Sequence, residues 1–425
     1  MLYSQMNKAQ LKEELSALSD KYNEYKSMNL ALDMSRGKPA PSQLDIANGL
    51  LDAVKSGDDF ISGGFDTRNY GLLDGIKEAK ALFADMIDVG EDEIFIGGNS
   101  SLNLMYDTIA KGLIFGMIDS KKPWCQEEKI KWLCPAPGYD RHFAICESFG
   151  IEMITVPMLS DGPDMDMVEK LVAEDESIKG IWCVPMYSNP TGITFSDEVV
   201  KRFANMKTKA QDFKIFWDNA YCVHHLTDTP DKLLSILEEC KKAGNPNRVF
   251  IFGSTSKVTF AGAGVAVMGM SKENLDYFKK FITIQTIGYD KINMLRHVRY
   301  LKNFDGMKEQ MKKLGDAIAP KFEKVLEILE SELTPCGIGS WHKPNGGYFI
   351  SLDTPKNCAK RTFELCKEAG VVLTSAGATF PYGKDPEDKN LRIAPTYPPI
   401  EELELAAKLL CLCVKISAVE NLINA

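Results

Sequence analysis

Val249-Phe250-Ile251-Phe252-Gly253-Ser254-Thr255-Ser256-Lys257 runs from an apolar strand-like segment into a hydroxyl-rich turn that ends on a lysine. A Gly- and Ala-rich segment follows, Ala261-Gly262-Ala263-Gly264. Lysine is rarely buried unless it is paired, and burial disfavours its ammonium form. A desolvated lysine amine is a nucleophile suited to forming a Schiff base with a carbonyl group. Taken alone, Ser-x-Ser-Lys reads more simply as a surface loop, so the rest of the chain has to decide.

Four further segments bear on the choice. Phe213-Lys214-Ile215-Phe216-Trp217-Asp218 is a β-rich run ending in an acid, with Tyr221 three residues on; by itself Asp218 reads as a helix N-cap. Gly180-Ile181-Trp182-Cys183-Val184-Pro185 leads into Asn189-Pro190-Thr191-Gly192, a turn sequence. Asp92-Glu93-Ile94-Phe95-Ile96 is followed by Gly97-Gly98-Asn99-Ser100-Ser101 and then by helical apolar spacing from Leu102 to Gly112. A strand, a small-residue turn and a helix start together make an anion site, because free N–H groups and the helix dipole face the ligand. The last segment, Leu391-Arg392-Ile393-Ala394-Pro395, places an arginine on a short strand.

With these five segments in this order, the chain resembles the fold-type I pyridoxal-phosphate enzymes, class I aminotransferases in particular. Within them it resembles a divergent bacterial subgroup of aspartate aminotransferases. The subgroup resemblance rests on Leu32-Asp33-Met34-Ser35-Arg36-Gly37-Lys38-Pro39, Arg68-Asn69-Tyr70-Gly71, Gly98-Asn99-Ser100-Ser101 and Ser256-Lys257-Val258-Thr259-Phe260-Ala261-Gly262. It spans nearly the whole chain, from about Leu32 to Arg392.

The resemblance implies roles. Lys257 would hold pyridoxal 5'-phosphate as a Schiff base and, once freed, act as general base. Asp218 would pair with the pyridine nitrogen and keep it protonated. Tyr221 and Asn189 would hydrogen-bond the 3′ oxygen, and Tyr139, in Pro135-Ala136-Pro137-Gly138-Tyr139, would stack on the ring. Ser100, Ser101 and Ser254 would hold the phosphate, with Asn99 in the same turn, and Ser256 beside the lysine would also contact the cofactor. Tyr70 would reach the phosphate of a neighbouring subunit, so the active sites of a homodimer would lie at the interface. Arg392 would clamp the substrate α-carboxylate with two parallel N–H bonds, and Gly37 would sit at the substrate mouth. Asn189–Pro190 is expected to be cis.

One departure stands out. Eight residues after the lysine, where the family carries a phosphate-binding arginine, this chain has Val265. Lys291, in Gly288-Tyr289-Asp290-Lys291, together with Arg36 and Lys38, are candidates for the missing charge. Lys291 also falls where the family brings in a charged residue from the partner subunit to read the substrate side chain, so it could serve either purpose. Arg36 and Lys38 beside the expected site would suit a distal carboxylate, favouring aspartate or glutamate. The expected activity is ping-pong amino transfer from L-aspartate to 2-oxoglutarate. Three alternatives stay open: an aromatic or 2-aminoadipate aminotransferase, a carbon–sulfur β-lyase, and a non-catalytic regulator with an aminotransferase-like domain. The regulator needs a basic helix-turn-helix segment, and only about 30 mostly polar residues precede the first motif.

Bulk properties agree. The chain has 425 residues, enough for two domains, with 26% charged and 44% hydrophobic residues, as in an ordinary globular protein. Its net charge of −9, without a basic block, argues against nucleic acid as a partner. The 11 cysteines show no Cys-x-x-Cys pair and read as reduced cytoplasmic thiols. Five histidines are scattered except His224-His225, which reads as packing or hydrogen bonding, so no metal is expected. The first 26 residues read as a polar amphipathic helix (Leu11, Leu15, Leu18) and not as a signal peptide, and no stretch suits a membrane.

Alternating strand and helix signals from about Asp92 to Met270 predict an α/β fold with a mainly parallel seven-stranded sheet covered by helices. The strands are Glu93–Ile96, Lys131–Cys134, Glu152–Pro157, Gly180–Val184, Lys214–Trp217, Arg248–Phe252 and Val265–Met268. A smaller α+β domain is expected from residues 301–425, joined by an N-terminal segment, residues 1–50, with residues 51–300 as the large cofactor-binding domain.

Overall fold

The structure, a computed structural model, describes residues 2–424. All seven expected strands are present in one sheet. They are β1 (Ile94–Ile96), β2 (Lys131–Ala136), β3 (Glu152–Leu159), β5 (Ile178–Cys183), β6 (Lys214–Asp218), β7 (Val249–Ser254) and β8 (Ala266–Gly269). Among the described residues the sheet has an eighth strand, β4 (Gly162–Pro163), which folds back antiparallel on β3 at the edge. Two residues carry no alternation, which is why it left no mark in the sequence. The order is β1-β8-β7-β6-β5-β2-β3-β4. Strands β7, β6, β5, β2 and β3 run parallel, while β8 is antiparallel to both β7 and β1.

Unbroken apolar runs such as Ile215-Phe216-Trp217 and Phe250-Ile251-Phe252 are buried on both faces, as parallel strands covered by helices require. One face packs on Phe83, Phe203, Met307 and Met311, the other on Trp124, Phe143 and Phe278. Gly180 lies opposite Trp132 in the register, and its bare Cα lets the indole cross it: a Cβ there would sit 2.4 Å from the ring.

The helices used below are α1 (Lys8–Ser27), α2 (Ser101–Phe115), α3 (Asp140–Ser148), α4 (Lys291–Leu301), α5 (Phe304–Leu333), α6 (Ala359–Glu368) and α7 (Ile400–Asn424). A second core holds α1, α6, α7 and the far half of α5, with Leu11, Leu18, Phe322, Leu329 and Leu410 buried together. Beside it lies a small antiparallel sheet of β9 (Ser340–Trp341), β10 (Ile350–Asp353) and β11 (Asn390–Ile393). Leu32–Asp33 pairs in parallel with Val371–Val372, which ties the segment before the expected substrate mouth to this second body.

Helix α5 joins the two cores. Met307, Met311 and Leu314 lie in the first, Phe322, Val325 and Leu329 in the second, and Pro320 falls between. Ile318 sits in a small cluster of its own with Met186, Tyr187, Tyr221, Tyr348, Phe349 and Ala394. That cluster draws residues from both bodies and forms the floor of the site.

Candidate active site

The parallel strands deliver their carboxyl ends to one edge of the sheet, where ligands bind in open α/β folds. Asp218 closes β6 and Ser254 closes β7, with Ser256 and Lys257 just beyond. Tyr139 follows β2, Asn189 follows β5, and Asn99 and Ser100 follow β1. The Asn189–Pro190 peptide is cis, as expected, and so is Ala136–Pro137.

The buried lysines Lys179 and Lys214 of this sheet sit directly on carboxylates. Lys179 Nζ lies 2.9 Å from Asp212 and Lys214 Nζ 2.7 Å from Asp119. Lys257 has aromatic faces in place of such a partner. Its Nζ is 5.0 Å from the centre of the Tyr221 ring and 5.8 Å from that of Tyr348. Burial pulls the Lys257 pKa down, and the nearby Asp218 charge opposes the shift without cancelling it. The neutral, nucleophilic amine is therefore more populated than in a free lysine.

Asp218 is buried, and its Oδ2 meets His142 Nε2 at 3.0 Å. Its Oδ1 is buried with no hydrogen-bond partner among the described residues. A buried carboxylate oxygen left open is costly, so the site is built to receive a donor there. His142 is stacked on Trp182 with ring centres 4.4 Å apart and 10° between planes, which holds the imidazole against Asp218. Tyr139 meets His142 edge-on, with ring centres 4.9 Å apart. Burial, then the Asp218 charge, pushes the Tyr139 hydroxyl up to about 12, and burial pushes Tyr221 well above its ordinary value.

Arg392, on β11, crosses from the second body to the first. Its Nη1 donates to Asp140 Oδ1 at 2.8 Å and to Asn189 Oδ1 at 3.3 Å. Its Nε and Nη2 both reach Thr374 Oγ1, at 3.3 and 3.2 Å, and Thr374 in turn donates to the Ser35 carbonyl. The Phe349 ring lies 4.8 Å from the guanidinium. Gly37 lies against the same ring, where a Cβ would come within 2.4 Å of it, so only glycine lets the backbone approach.

The anion cradle is assembled too. Ser100 caps α2, accepting from the Asn103 N–H at 3.3 Å. Asn99 Nδ2 reaches the Gly262 carbonyl at 3.4 Å, and Ser254 and Ser256 hydroxyls lie 3.1 Å apart. Ser101 opens α2 beside the free N–H groups of its first turn. Val265 is buried and supplies no charge.

Some expected residues stand apart from this constellation. Tyr70 is 76% exposed, and Arg36 and Lys38 are exposed, the latter over the Tyr397 ring at 3.8 Å. Lys291 is buried beside the Gly71–Gly288 contact, donating to the Tyr289 carbonyl at 3.2 Å. Burial lowers its pKa, with Asp290 opposing.

Sequence reasoning passed over several neighbours. His142 lies one helical turn after Tyr139, a spacing that could have drawn attention to it. Tyr348, Phe349, Thr374 and Asp140 had no local signal, because they arrive through tertiary packing. Arg296, on α4, lines the cleft that also contains Gly98, Asn99 and Gly262 to Val265, and its Nε is buried with no hydrogen-bond partner among the described residues. His224 and His225 part company. His225 Nδ1 meets the Tyr187 hydroxyl at 2.8 Å, while both His224 ring nitrogens are buried without partners among the described residues.

Fold and site together define an aminotransferase. A family model described as aspartate amino-transferase matches residues 4–425, and the chain belongs to that family. It is 50% identical over 404 residues to an aspartate aminotransferase of Corynebacterium glutamicum, covering 95% of this chain and 93% of that one. It is 49% identical over 405 residues to a protein of Mycolicibacterium smegmatis provisionally named an aminotransferase, with 95% of each covered. The crystal structure of an aspartate transaminase from C. glutamicum superposes with a TM-score of 0.97 at 47% identity over 99% of each chain.

The buried histidines set an acid limit on stability. Burial, first of all, holds His224 down to about 3 and His297 down to about 4, against an ordinary 6.5. The unfolded chain takes up those protons as pH falls below about 6.5 and the folded chain does not, so stability is lost on acidification by up to about 1.4 kcal/mol per pH unit per histidine. Urea unfolding of His224→Phe between about pH 6.5 and about pH 4.5 should show a shallower loss than the unaltered protein. Parallel losses would mean that His224 is not held neutral.

Proposed function

We propose that this protein is a pyridoxal-phosphate-dependent aspartate aminotransferase, moving the amino group of L-aspartate to 2-oxoglutarate. One observation carries the reading: a lysine amine whose pKa is lowered by burial feels the charge of a buried carboxylate whose second oxygen has no partner among the described residues. The donor set fits the cofactor. Asp218 Oδ1 suits a protonated ring nitrogen, Tyr221 and Asn189 suit the ring oxygen, and the Tyr139 ring suits the cofactor face. Ser100, Ser101, Ser254 and Ser256, with Asn99 and the start of α2, suit the phosphate.

When bound, the cofactor supplies an aldehyde that condenses with amines and a ring that takes up electrons from the substrate Cα. Lys257 Nζ, whose pKa burial lowers, would take the Cα proton and deliver it to the cofactor carbon derived from the aldehyde. Asp218 would pair with the ring nitrogen and favour its protonated form, and His142, stacked on Trp182, holds Asp218 in place. Arg392 binds the α-carboxylate, a charge-assisted contact worth about 1.5–3 kcal/mol. Tyr221, Tyr348 and Phe349 keep water from the reacting centre.

Aspartate as substrate is supported by the similarity to the C. glutamicum enzyme and by the exposed Arg36 and Lys38, the chain neighbours of Gly37, which lies against Phe349. Lys291 would read the substrate of a partner subunit. Tyr70, Leu72 and Ile287 are exposed on either side of the Gly71–Gly288 contact, which supports a homodimer joined there, with Tyr70 reaching the partner's phosphate. The separate cores support a large and a small domain, expected as residues 51–300 and as residues 1–50 with 301–425, but Met307, Met311 and Leu314 carry the large core past that boundary into the first half of α5. Eleven free cysteines support a cytoplasmic location, and no helix among the described residues is long and apolar enough to cross a membrane.

The absorption spectrum tests the reading. A yellow band that bleaches with L-aspartate and returns with 2-oxoglutarate is expected; a response confined to other amino acids would discard aspartate. Replacing Arg36 and Lys38 by Gln should raise KM for aspartate far more than for an apolar amino acid, and equal effects would remove them from the site. Arg296 is the residue we assign to the phosphate in place of the arginine missing at Val265. Arg296→Gln should weaken pyridoxal phosphate binding about tenfold, for one lost charge-assisted bond, and leave pyridoxal, which has no phosphate, unaffected. Equal losses for both ligands, measured by equilibrium dialysis, would return Arg296 to a structural role.

A further inference from the structure

Arg392 does not present a free fork. Both N–H bonds of Nη1 are committed, one to Asp140 Oδ1 at 2.8 Å and one to Asn189 Oδ1 at 3.3 Å. Thr374 takes the Nε and Nη2 side, and Phe349 covers a face. The Arg392 side chain is only 8% exposed, and Asp140 is 33% exposed. The Asp140 contact is the same carboxylate-to-guanidinium bond that a ligand carboxylate would make. A ligand cannot take both parallel bonds while Asp140 keeps Nη1, and two carboxylates on one partly buried guanidinium would repel each other.

We propose that Asp140 is an internal competitor for Arg392, so that a ligand carboxylate binds by exchanging with it. The proposal rests on the reading of Arg392 as the carboxylate site. Asp140 is the first residue of α3, whose N-cap, Tyr139, makes no side-chain capping bond. The His142 N–H is taken by the Tyr139 carbonyl at 3.0 Å, but the Asp140 and Arg141 N–H groups open the helix ahead of its i−4 bonds and its dipole favours a negative charge, so the released carboxylate has a local place to turn. Helix α3 packs on β3 in the first body, while β11 belongs to the second. The exchange therefore cuts a direct tie between the bodies and replaces it with one made through the ligand. It also lowers affinity for every α-carboxylate alike, whatever the amino-acid side chain.

Succinate is the probe, a dicarboxylate with no amino group to transfer. It is titrated into the cofactor-loaded protein and followed by calorimetry, for the unaltered chain, Asp140→Asn, Asp140→Glu and Arg392→Gln. Asp140→Asn should bind succinate about tenfold more tightly, since a charged competitor becomes a neutral one. KM for aspartate and for an apolar amino acid should fall by a similar factor with kcat changed less, and Asp140→Glu should return towards the unaltered affinity. Should the Asn variant fold poorly, Asp140→Ser removes the same charge at a helix start that tolerates serine. Weaker or unchanged succinate binding in the charge-removing variants overturns the proposal, because Asp140 would then only hold the guanidinium in shape. If Arg392→Gln leaves succinate affinity unchanged, carboxylates bind elsewhere and the proposal falls with the reading of Arg392. If succinate depends on Arg392 but aspartate transfers no amino group, the proposed function fails while the Asp140 comparison still decides the exchange.

Discussion

The Lys257 amine lies near enough to the buried Asp218 carboxylate to feel its charge, and among the described residues no ion pair joins the two. Lys257 lies over aromatic rings, and Asp218 spends one oxygen on His142 and leaves the other open. In water such an arrangement would relax, the amine regaining its hydration and the carboxylate collecting donors. The sheet prevents it. Strands β6 and β7 are hydrogen-bonded neighbours buried on both faces, so the residues at their ends cannot drift apart without breaking the core. The strained electrostatics of the site are therefore held in place by the packing of the sheet, and a ligand with a cationic ring nitrogen and a carbonyl relieves them.

The second body completes the site. Phe349 and Arg392 reach the floor from its small sheet, and Gly37 from the segment tied beside it. Arg392 spans the gap to Asp140 and Asn189, so carboxylate recognition and the relative placement of the two bodies depend on one side chain. Helix α5 runs through both cores and is the continuous element between them. Local chemistry at the mouth and the geometry of the whole molecule are thus coupled through few contacts.

Much of this was legible in the residues. Apolar runs such as Val249 to Phe252 fix strands, and a charged or hydroxyl residue ending each run marks the ligand edge. That logic placed Lys257, Asp218, Asn189 and Ser100 at one edge of one sheet. It failed where no periodicity exists, as for the two-residue edge strand at Gly162–Pro163. It also failed where a contact depends on chain segments far apart in sequence. Thr374 and Asp140 lie 18 and 252 residues from Arg392 and nothing local announces them. The charge missing at Val265 was visible as a gap. Arg36, Lys38 and Lys291 were the natural candidates by position, but the first two are exposed and the third is turned towards the Tyr289 carbonyl. Arg296 emerges only when α4 packs on the glycine-rich loop.

The open oxygen of Asp218 is the claim on which the account stands. Affinities for pyridoxal phosphate and for an analogue with carbon in place of the ring nitrogen test it directly, measured by equilibrium dialysis on the unaltered chain and on Asp218→Ala. The unaltered protein should prefer pyridoxal phosphate by about tenfold or more, the worth of one charge-assisted bond, and Asp218→Ala should abolish the preference. Equal affinity of the unaltered protein for both ligands would contradict the account, because Asp218 would then be facing something other than a cationic nitrogen.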